Sequence, residues 1–285
     1  MMVIPIDIEN EIKSILFSKK GEGVTILDMQ PVSGGCINNA SKIITNCGTF
    51  FLKWNKTAAD KMFETEAKGL ELIRKSNTIY APHLIAYDNH FLMMEFIEKV
   101  SPTHSLWEEF GRDLSELHKV SNINFGLDHN NFIGSLLQKN NKQPNWIDFF
   151  INQRIIPQLS IGNFSSEFTR SFDKLFLKIE DLFPDEPPSL LHGDLWNGNF
   201  IFLKNKAVLF DPAVYFGSRE MDIAMSKLFG GFHDKFYSSY NENYPLSEGW
   251  QERMDICNLY PLLVHVNLFG GGYYSQVKTI LNYFI

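Results

Sequence analysis

Leu190-Leu191-His192-Gly193-Asp194-Leu195-Trp196-Asn197-Gly198-Asn199, with Ala207-Val208-Leu209-Phe210-Asp211-Pro212-Ala213 close behind it, is the stretch on which the reading of this chain turns. Asp194 precedes Asn199 by five positions. That spacing suits a loop in which a carboxylate orients and deprotonates an acceptor hydroxyl while an amide side chain holds Mg²⁺. Asp211 closes an apolar run that reads as a buried strand, where a second metal-binding carboxylate would be fixed firmly. A surface turn would explain a lone Asp, and an N-cap or turn would explain Asn199 or Asp211 taken singly. Together the three offsets point to movement of a phosphoryl group from a nucleotide.

The bulk properties agree with such a chain and exclude other classes. Its 285 residues suit one large domain or two lobes, with 44% apolar and 21% charged residues and 25 Phe to build a core. The formal charge is −7 and no long basic run occurs, which argues against nucleic-acid binding through phosphate neutralisation. No apolar run reaches the roughly 18–20 residues of a membrane span. The N-terminus lacks a charged leader followed by an apolar segment, so no signal peptide is expected. Three Cys (Cys36, Cys47, Cys257) suggest reduced thiols and a cytoplasmic setting rather than a disulfide framework.

Hydrophobic periodicity divides the chain. A short helix is expected over 8–20. Short β-rich runs punctuated by Gly and Asn follow from 25 to 53, an antiparallel meander. Residues 58–75 read as a helix with Met62, Phe63, Ala67, Leu70 and Ile73 on one stripe, and 87–97 as a further hairpin. Beyond Ile97 helical patterns dominate: 106–120, 146–159, 164–182, 219–240 and 250–268. The expectation is an α+β chain of two lobes, a β-rich lobe over 1–97 and a mostly helical lobe over 98–285 that carries Asp194, Asn199 and Asp211.

The first lobe supplies residues suited to a nucleotide. Lys53 ends the strand Phe50-Phe51-Leu52-Lys53 and could reach α/β-phosphates. It needs a carboxylate to hold it, and Glu66 is preferred to Glu64 because it borders the buried stripe more closely. The turn Ser33-Gly34-Gly35-Cys36-Ile37-Asn38-Asn39 lies upstream of Lys53, where a phosphate-covering loop belongs, since Gly lets backbone approach phosphate. It is not a Walker loop. Met94-Glu95-Phe96-Ile97 joins the lobes; its backbone could pair with an adenine edge and Met94 could line the base pocket. His118 reads as a structural helix residue. Asp222 reads as a hydrogen-bonding support for the catalytic-loop backbone, near His192.

These residues resemble the protein-kinase-like superfamily, on the branch of the aminoglycoside phosphotransferases and choline kinases, which carry His-Gly-Asp-x-x-x-x-Asn. The resemblance is greatest to the fructosamine (ketosamine) kinases and runs through nearly the whole chain. It includes Pro31-Val32-Ser33-Gly34-Gly35-Cys36-Ile37-Asn38, Phe110-Gly111-Arg112-Asp113-Leu114, Asn131-Phe132-Ile133-Gly134 and Phe229-Gly230-Gly231-Phe232. Trp196 and the tail His265-Val266-Asn267-Leu268-Phe269-Gly270-Gly271-Gly272-Tyr273 are the parts that single out this family.

The resemblance implies a bilobal kinase fold and ATP-dependent, Mg²⁺-dependent phosphorylation of the sugar part of ketosamines, read as protein deglycation. It implies Asp194 as base, Asn199 and Asp211 as metal ligands, Lys53 with Glu66 on phosphate, and Trp196, His265 and Asn267 toward the substrate. In this family a Cys at the position of Cys36 has been proposed as a redox-sensitive thiol joining two chains, so a monomer or such a homodimer is expected. Because Pro212-Ala213 follows Asp211 where protein kinases have Phe-Gly, no activation-loop switch is expected. The alternatives are a kinase of the aminoglycoside or choline type and a non-catalytic nucleotide-binding protein.

Overall fold

The computed structural model describes residues 4–21, 23–32 and 37–285. The turn residues Ser33, Gly34, Gly35 and Cys36 lie outside the described residues.

The chain begins with helix α1 (Ile6–Lys20), strands β1 (Ile26–Pro31), β2 (Asn39–Thr45) and β3 (Gly48–Trp54), helix α2 (Met62–Ser76), and strands β4 (Leu84–Tyr87) and β5 (Phe91–Glu95). The five strands form one antiparallel sheet in the order β1-β2-β3-β5-β4. The two-residue period of a strand decides which side chains it offers to each face. On β3, Phe50, Leu52 and Trp54 pack with Ile8, Ile12 and Leu16 of α1. Phe51 and Lys53 therefore face the other side, where Phe51 joins the cluster built around α2 and α3.

Helix α3 (His104–Lys119) follows, then the hairpin β6 (Asn131–Ile133) and β7 (Leu136–Gln138). Next comes a helical run composed of α4 (Trp146–Phe149), a π-helical turn (Phe150–Ile155) and α5 (Ile156–Ile161), then α6 (Ser166–Ile179). Strand β8 (Ser189–Leu191), the hairpin β9 (Phe200–Leu203) and β10 (Lys206–Leu209), and β11 (Tyr215–Gly217) precede α7 (Glu220–Leu228), α8 (Asp234–Asn243), α9 (Trp250–Phe269) and α10 (Tyr273–Phe284). Strand β8 pairs with β11, and β9 with β10. Thr103 caps α3, its hydroxyl accepting from the Leu106 amide at 3.3 Å. The helix buries Leu106, Phe110, Leu114 and Leu117 in the cluster that also contains Phe63 and Leu70 of α2, Met94 of β5 and Phe200 and Leu209 of the β9–β10 hairpin. One core thus runs from sheet to helices, and each fully buried Phe in it contributes roughly 2 kcal/mol.

The structure departs from periodicity in three places. Helix α2 starts at Met62, not 58, because Lys61 takes a left-handed backbone (φ 65°). The helix expected over 219–240 is broken: Gly230 (φ 97°) and Gly231 (φ 74°) turn the chain between α7 and α8. Helix α10 was not expected; it resumes after Gly270 (φ 66°) and Gly271 (φ 68°), and buries only Val277 and Leu281 fully, too weak a stripe to stand out.

Helices α3 and α8 touch backbone to backbone. A Cβ on Gly111 would lie 2.3 Å from the Phe236 carbonyl oxygen and 2.9 Å from the Tyr240 nitrogen. In an exposed helix Gly→Ala stabilises; here Gly111→Ala should destabilise by about 2 kcal/mol, as overpacking does. Urea titration of the variant checks this, and a midpoint at or above that of the parent would show that the crossing is not tight.

Candidate active site

A cleft of about 1080 Å³ separates the sheet from the helices, and Lys53, Glu66, Met94, Glu95, Phe96, Ile97, Asp194, Trp196, Asn199, Asp211 and His265 all line it. Hairpin geometry explains how residues twelve apart meet. Leu209 pairs with Phe200, and the Phe210 amide donates to the Asn199 carbonyl at 3.1 Å. The hairpin therefore sets Asn199, just before β9, beside Asp211, just after β10.

The Lys53 ammonium lies between two carboxylates, 2.9 Å from Glu66 Oε2 and 2.9 Å from Asp211 Oδ1. Glu64 points elsewhere and pairs with Lys68 at 2.5 Å. Burial disfavours the ammonium, but Asp211 and Glu66 outweigh it and hold the Lys53 pKa above its ordinary value. One cation cannot fully compensate two buried anions. Burial, helped by the Asp211 charge and opposed by Lys53, pushes Glu66 up to about 7. Asp211 itself has a left-handed backbone (φ 54°), a conformation that costs a non-Gly residue of order 1 kcal/mol and clusters at functional sites.

Asn199 uses both amide hydrogens on one neighbour: Nδ2 donates to the Asp194 carbonyl at 2.8 Å and to Asp194 Oδ2 at 2.8 Å. Its Oδ1 is left as the atom to meet a cation. Asp194 is pushed up to about 7, chiefly by burial and further by Asp211 and Asp222, against the Asn199 hydrogen bond.

The backbone of the loop is held from below. Asp222 accepts from the His192 amide at 2.7 Å and the Gly193 amide at 2.9 Å, and bonds to His118 Nε2 at 3.1 Å. His118 Nδ1 in turn meets the Tyr240 hydroxyl at 2.8 Å. Burial opposes the Asp222 charge, yet the hydrogen bond to His118, the His118 and His192 rings and the Gly193 amide hold its pKa below the ordinary value. His192 is buried, which lowers its pKa. Its Nε2 faces the Phe210 carbonyl at 3.0 Å and its Nδ1 faces the Asp194 amide at 3.2 Å, a pattern that calls for the neutral ring protonated on Nε2. Gly193 (φ 82°) can be nothing else, since a Cβ there would lie 2.1 Å from the Ala213 carbonyl oxygen.

At the segment joining the lobes, the Glu95 amide donates to His83 and the Phe96 amide to Thr49. The Glu95 carboxylate accepts from the Tyr80 hydroxyl at 2.5 Å and the His83 amide at 2.9 Å. Among the described residues the Ile97 amide has no protein acceptor. Met94 is buried beside it.

Trp196 lies over Gly198, where a Cβ would come within 2.3 Å of the indole, and meets Phe229 edge-on at 6.0 Å. Phe229, His265, Phe269 and Tyr273 continue the aromatic wall. His265 Nδ1 donates to the Pro261 carbonyl, 2.7 Å away, so Nδ1 carries the proton and Nε2 remains an acceptor. Asn267 is corrected: it does not line the cleft, and its amide donates to the Gln158 carbonyl and side chain at 3.0 and 2.8 Å. Two residues are about 200° apart around a helix, so His265 and Asn267 cannot share a face. The sequence reading missed Phe229, Phe269 and Tyr273 as cleft residues; a Gly pair interrupting a helical pattern beside Phe229 was the available signal.

A two-lobed fold with a cleft holding a Lys–Glu pair on one wall and Asp, Asn and Asp on the other defines a protein-kinase-like phosphotransferase. The sequence matches the family described as fructosamine kinase over residues 8–285. It is 36% identical over 274 residues, 92% of this chain and 91% of the other, to a probable ketoamine kinase of Synechocystis. It is likewise 36% identical over 276 residues to the chloroplastic protein-ribulosamine 3-kinase of Arabidopsis thaliana, covering 92% of this chain and 84% of that one. A crystal structure provisionally named a fructosamine-3-kinase, from Thermobifida fusca, superposes with a TM-score of 0.86 at 31% identity, covering 95% and 96% of the two chains. The choline kinase LicA from Streptococcus pneumoniae shares the fold alone, with a TM-score of 0.67 at 16% identity over 97% and 99% of the chains. The chain belongs to the fructosamine kinase family.

The raised carboxylates make a statement about stability. Asp194 and Glu66 keep protons in the folded protein at pH values where the unfolded chain, at 3.8 and 4.5, has lost them. The folded state binds more protons in that window, so the unliganded protein should lose stability as pH rises from about 4 toward about 7. Urea midpoints at pH 5, 6, 7 and 8 test this. Asp194→Asn should flatten the slope, and an unchanged slope would show that Asp194 is not desolvated.

Proposed function

We propose that this protein transfers the γ-phosphoryl group of Mg·ATP to a hydroxyl of the sugar part of a ketosamine, the 3-hydroxyl by analogy with the ribulosamine 3-kinase it resembles. The observation that carries the reading is the position of Asp194. It lies within hydrogen-bond distance of Asn199 and lines the same cleft as the Lys53–Glu66–Asp211 cluster and Trp196. In this reading residues 1–97 serve the nucleotide and residues 98–285 the catalysis and the acceptor.

Each residue then has one task. Glu66 holds Lys53 so that its ammonium can neutralise nucleotide phosphate. The free Ile97 amide and the Glu95 carbonyl offer an adenine edge a donor and an acceptor, with Met94 behind. Ser33, Gly34, Gly35 and Cys36 would bring backbone amides over the phosphates. Asp194 takes the proton of the attacking hydroxyl, and its raised pKa brings it closer to the operating pH, where a general base is most effective. The aromatic wall from Trp196 to Tyr273 gives the sugar and its amine a flat apolar surface, and the His265 Nε2 lone pair gives them an acceptor. The rate gain comes from positioning and charge neutralisation.

Asp211 and the Asn199 oxygen suit Mg²⁺, which prefers oxygen ligands and shares its shell with phosphates. Among the described residues no cluster of three or more His, Cys, Asp or Glu could hold a metal by itself, as befits an ion that arrives with its nucleotide. Held by Asp211 and Asn199, Mg²⁺ would supply positive charge to neutralise the phosphates. No helix among the described residues is long and apolar enough to cross a membrane, and a cytoplasmic monomer, or a homodimer joined through Cys36 under oxidation, completes the proposal.

ATP-dependent phosphorylation should be seen with ribuloselysine, fructoselysine or erythruloselysine and not with kanamycin or choline. The reverse pattern would move the protein to the other branch of the superfamily, and ATP binding with no acceptor at all would make it non-catalytic. Asp194→Asn should lower kcat by at least about 10²; near-normal turnover would remove Asp194 from its role.

A further inference from the structure

Arg154, in the π-helical turn, is fully buried, yet no carboxylate pairs with it among the described residues. Its guanidinium lies 3.8 Å from the Tyr215 ring centroid and 4.6 Å from that of Phe149. Its hydrogens go to the Lys139 carbonyl (2.6 Å), the Gln153 carbonyl (3.0 Å) and Asn140 Oδ1 (2.8 Å).

An arginine has only donors, and this fixes the direction of everything beyond it. Asn140 must present its oxygen to Arg154, so its Nδ2 faces away and donates to Asn131 Oδ1 at 2.8 Å. Asn131 must then donate through its own Nδ2, which reaches the Val214 carbonyl at 2.8 Å. A second relay runs alongside. The Tyr260 hydroxyl donates to Gln138 Oε1 at 2.8 Å, and Gln138 Nε2 donates to the Ala213 carbonyl at 3.0 Å and to Asn131 Oδ1 at 2.8 Å. Both relays end on the two carbonyls that follow Asp211-Pro212. On the other side of Asp211, the His192 ring holds the Phe210 carbonyl and the Ala213 amide donates to the His192 carbonyl. Asp211 is thus clamped on both flanks in a backbone conformation it would not choose alone.

We propose that Arg154, Asn140, Asn131, Gln138 and Tyr260 are positioning residues for Asp211: the amide chains, oriented from the buried guanidinium, hold the loop so that the Asp211 carboxylate is aimed for the nucleotide-bound metal ion. This rests on the reading of Asp211 as a metal ligand. The relay makes orientation depend on proton direction as well as on shape. Asn131→Asp and Gln138→Glu keep the volume of each side chain but turn a donor into an acceptor opposite a carbonyl.

Mn²⁺ binding in the presence of ADP, followed by electron paramagnetic resonance well below the unfolding temperature, separates the possibilities. Asn131→Asp and Gln138→Glu should each weaken Mn²⁺ about 10-fold, the low end for residues that orient a metal ligand. For Gln138→Glu and Tyr260→Phe, which lie off the cleft lining, ADP affinity without metal should stay within about 2-fold, and added Mg²⁺ should restore kcat. Tyr260→Phe, which removes one hydroxyl and leaves the core filled, should weaken Mn²⁺ by a smaller factor and serves if the charged variants fail to fold. Mn²⁺ affinity unchanged in these variants while Asp211→Asn loses it would overturn the inference alone. Equal affinity in wild type and Asp211→Asn would overturn the metal reading beneath it.

Discussion

One ammonium serving two carboxylates is the constraint around which this molecule is arranged. Lys53 belongs to β3, Glu66 to α2 and Asp211 to the loop after β10, so the ion cluster draws together a strand, a helix and the catalytic half of the chain. The alternation of β3 turns Lys53 toward the cleft only because Phe50, Leu52 and Trp54 are committed to α1 on the other face. The cluster is electrically incomplete: Glu66 and Asp211 share one lysine, and Asp194 feels the Asp211 charge as well. A buried surplus of negative charge is costly in the resting protein. In the proposed reading it would also draw a divalent cation to the cleft, and together with burial it raises the pKa of Glu66 and Asp194.

Around that cluster the structure spends buried polar groups on backbone, not on ligand. Asp222 with His118 and Tyr240 grips the amides of His192 and Gly193; His192 grips Phe210; Asn131 and Gln138 grip Ala213 and Val214. Each of these contacts fixes a peptide group one to three residues from Asp194 or Asp211. A site whose dipoles are already in place pays no reorganisation when charge moves, and the neutral His192 ring shows that the scaffold can hold the loop without adding another charge beside Asp194.

Much of this was legible in the sequence because it depends on short-range periodicity. The preference for Glu66 over Glu64 follows from the helix period, and the buried strand that ends at Asp211 from its apolar run. What was not legible depends on contacts distant in sequence or on backbone signs. The break at Gly230 and Gly231 is a matter of positive φ, and it delivers Phe229 to the cleft. Asn267 seemed equivalent to His265 until the helix turned it toward Gln158. The amide relay under Asp211 joins residues 131–154 to 213–214 and to Tyr260, and nothing local to any of them announces it. The Ser33–Cys36 turn, expected over the phosphates, lies outside the described residues.

The π-helical turn at Phe150–Ile155 has a consequence beyond its own geometry. A turn of this kind accommodates one residue more than an α-helix would, and it swings everything after it by about 100° relative to what came before. Ile155 is fully buried within it, whereas a regular helix continuing from Trp146 would set it about 180° from the Trp146 face. Chain length at this point therefore acts as a steering variable: losing a single residue here would tidy the helix and yet misdirect a guanidinium whose effect is felt in the cleft.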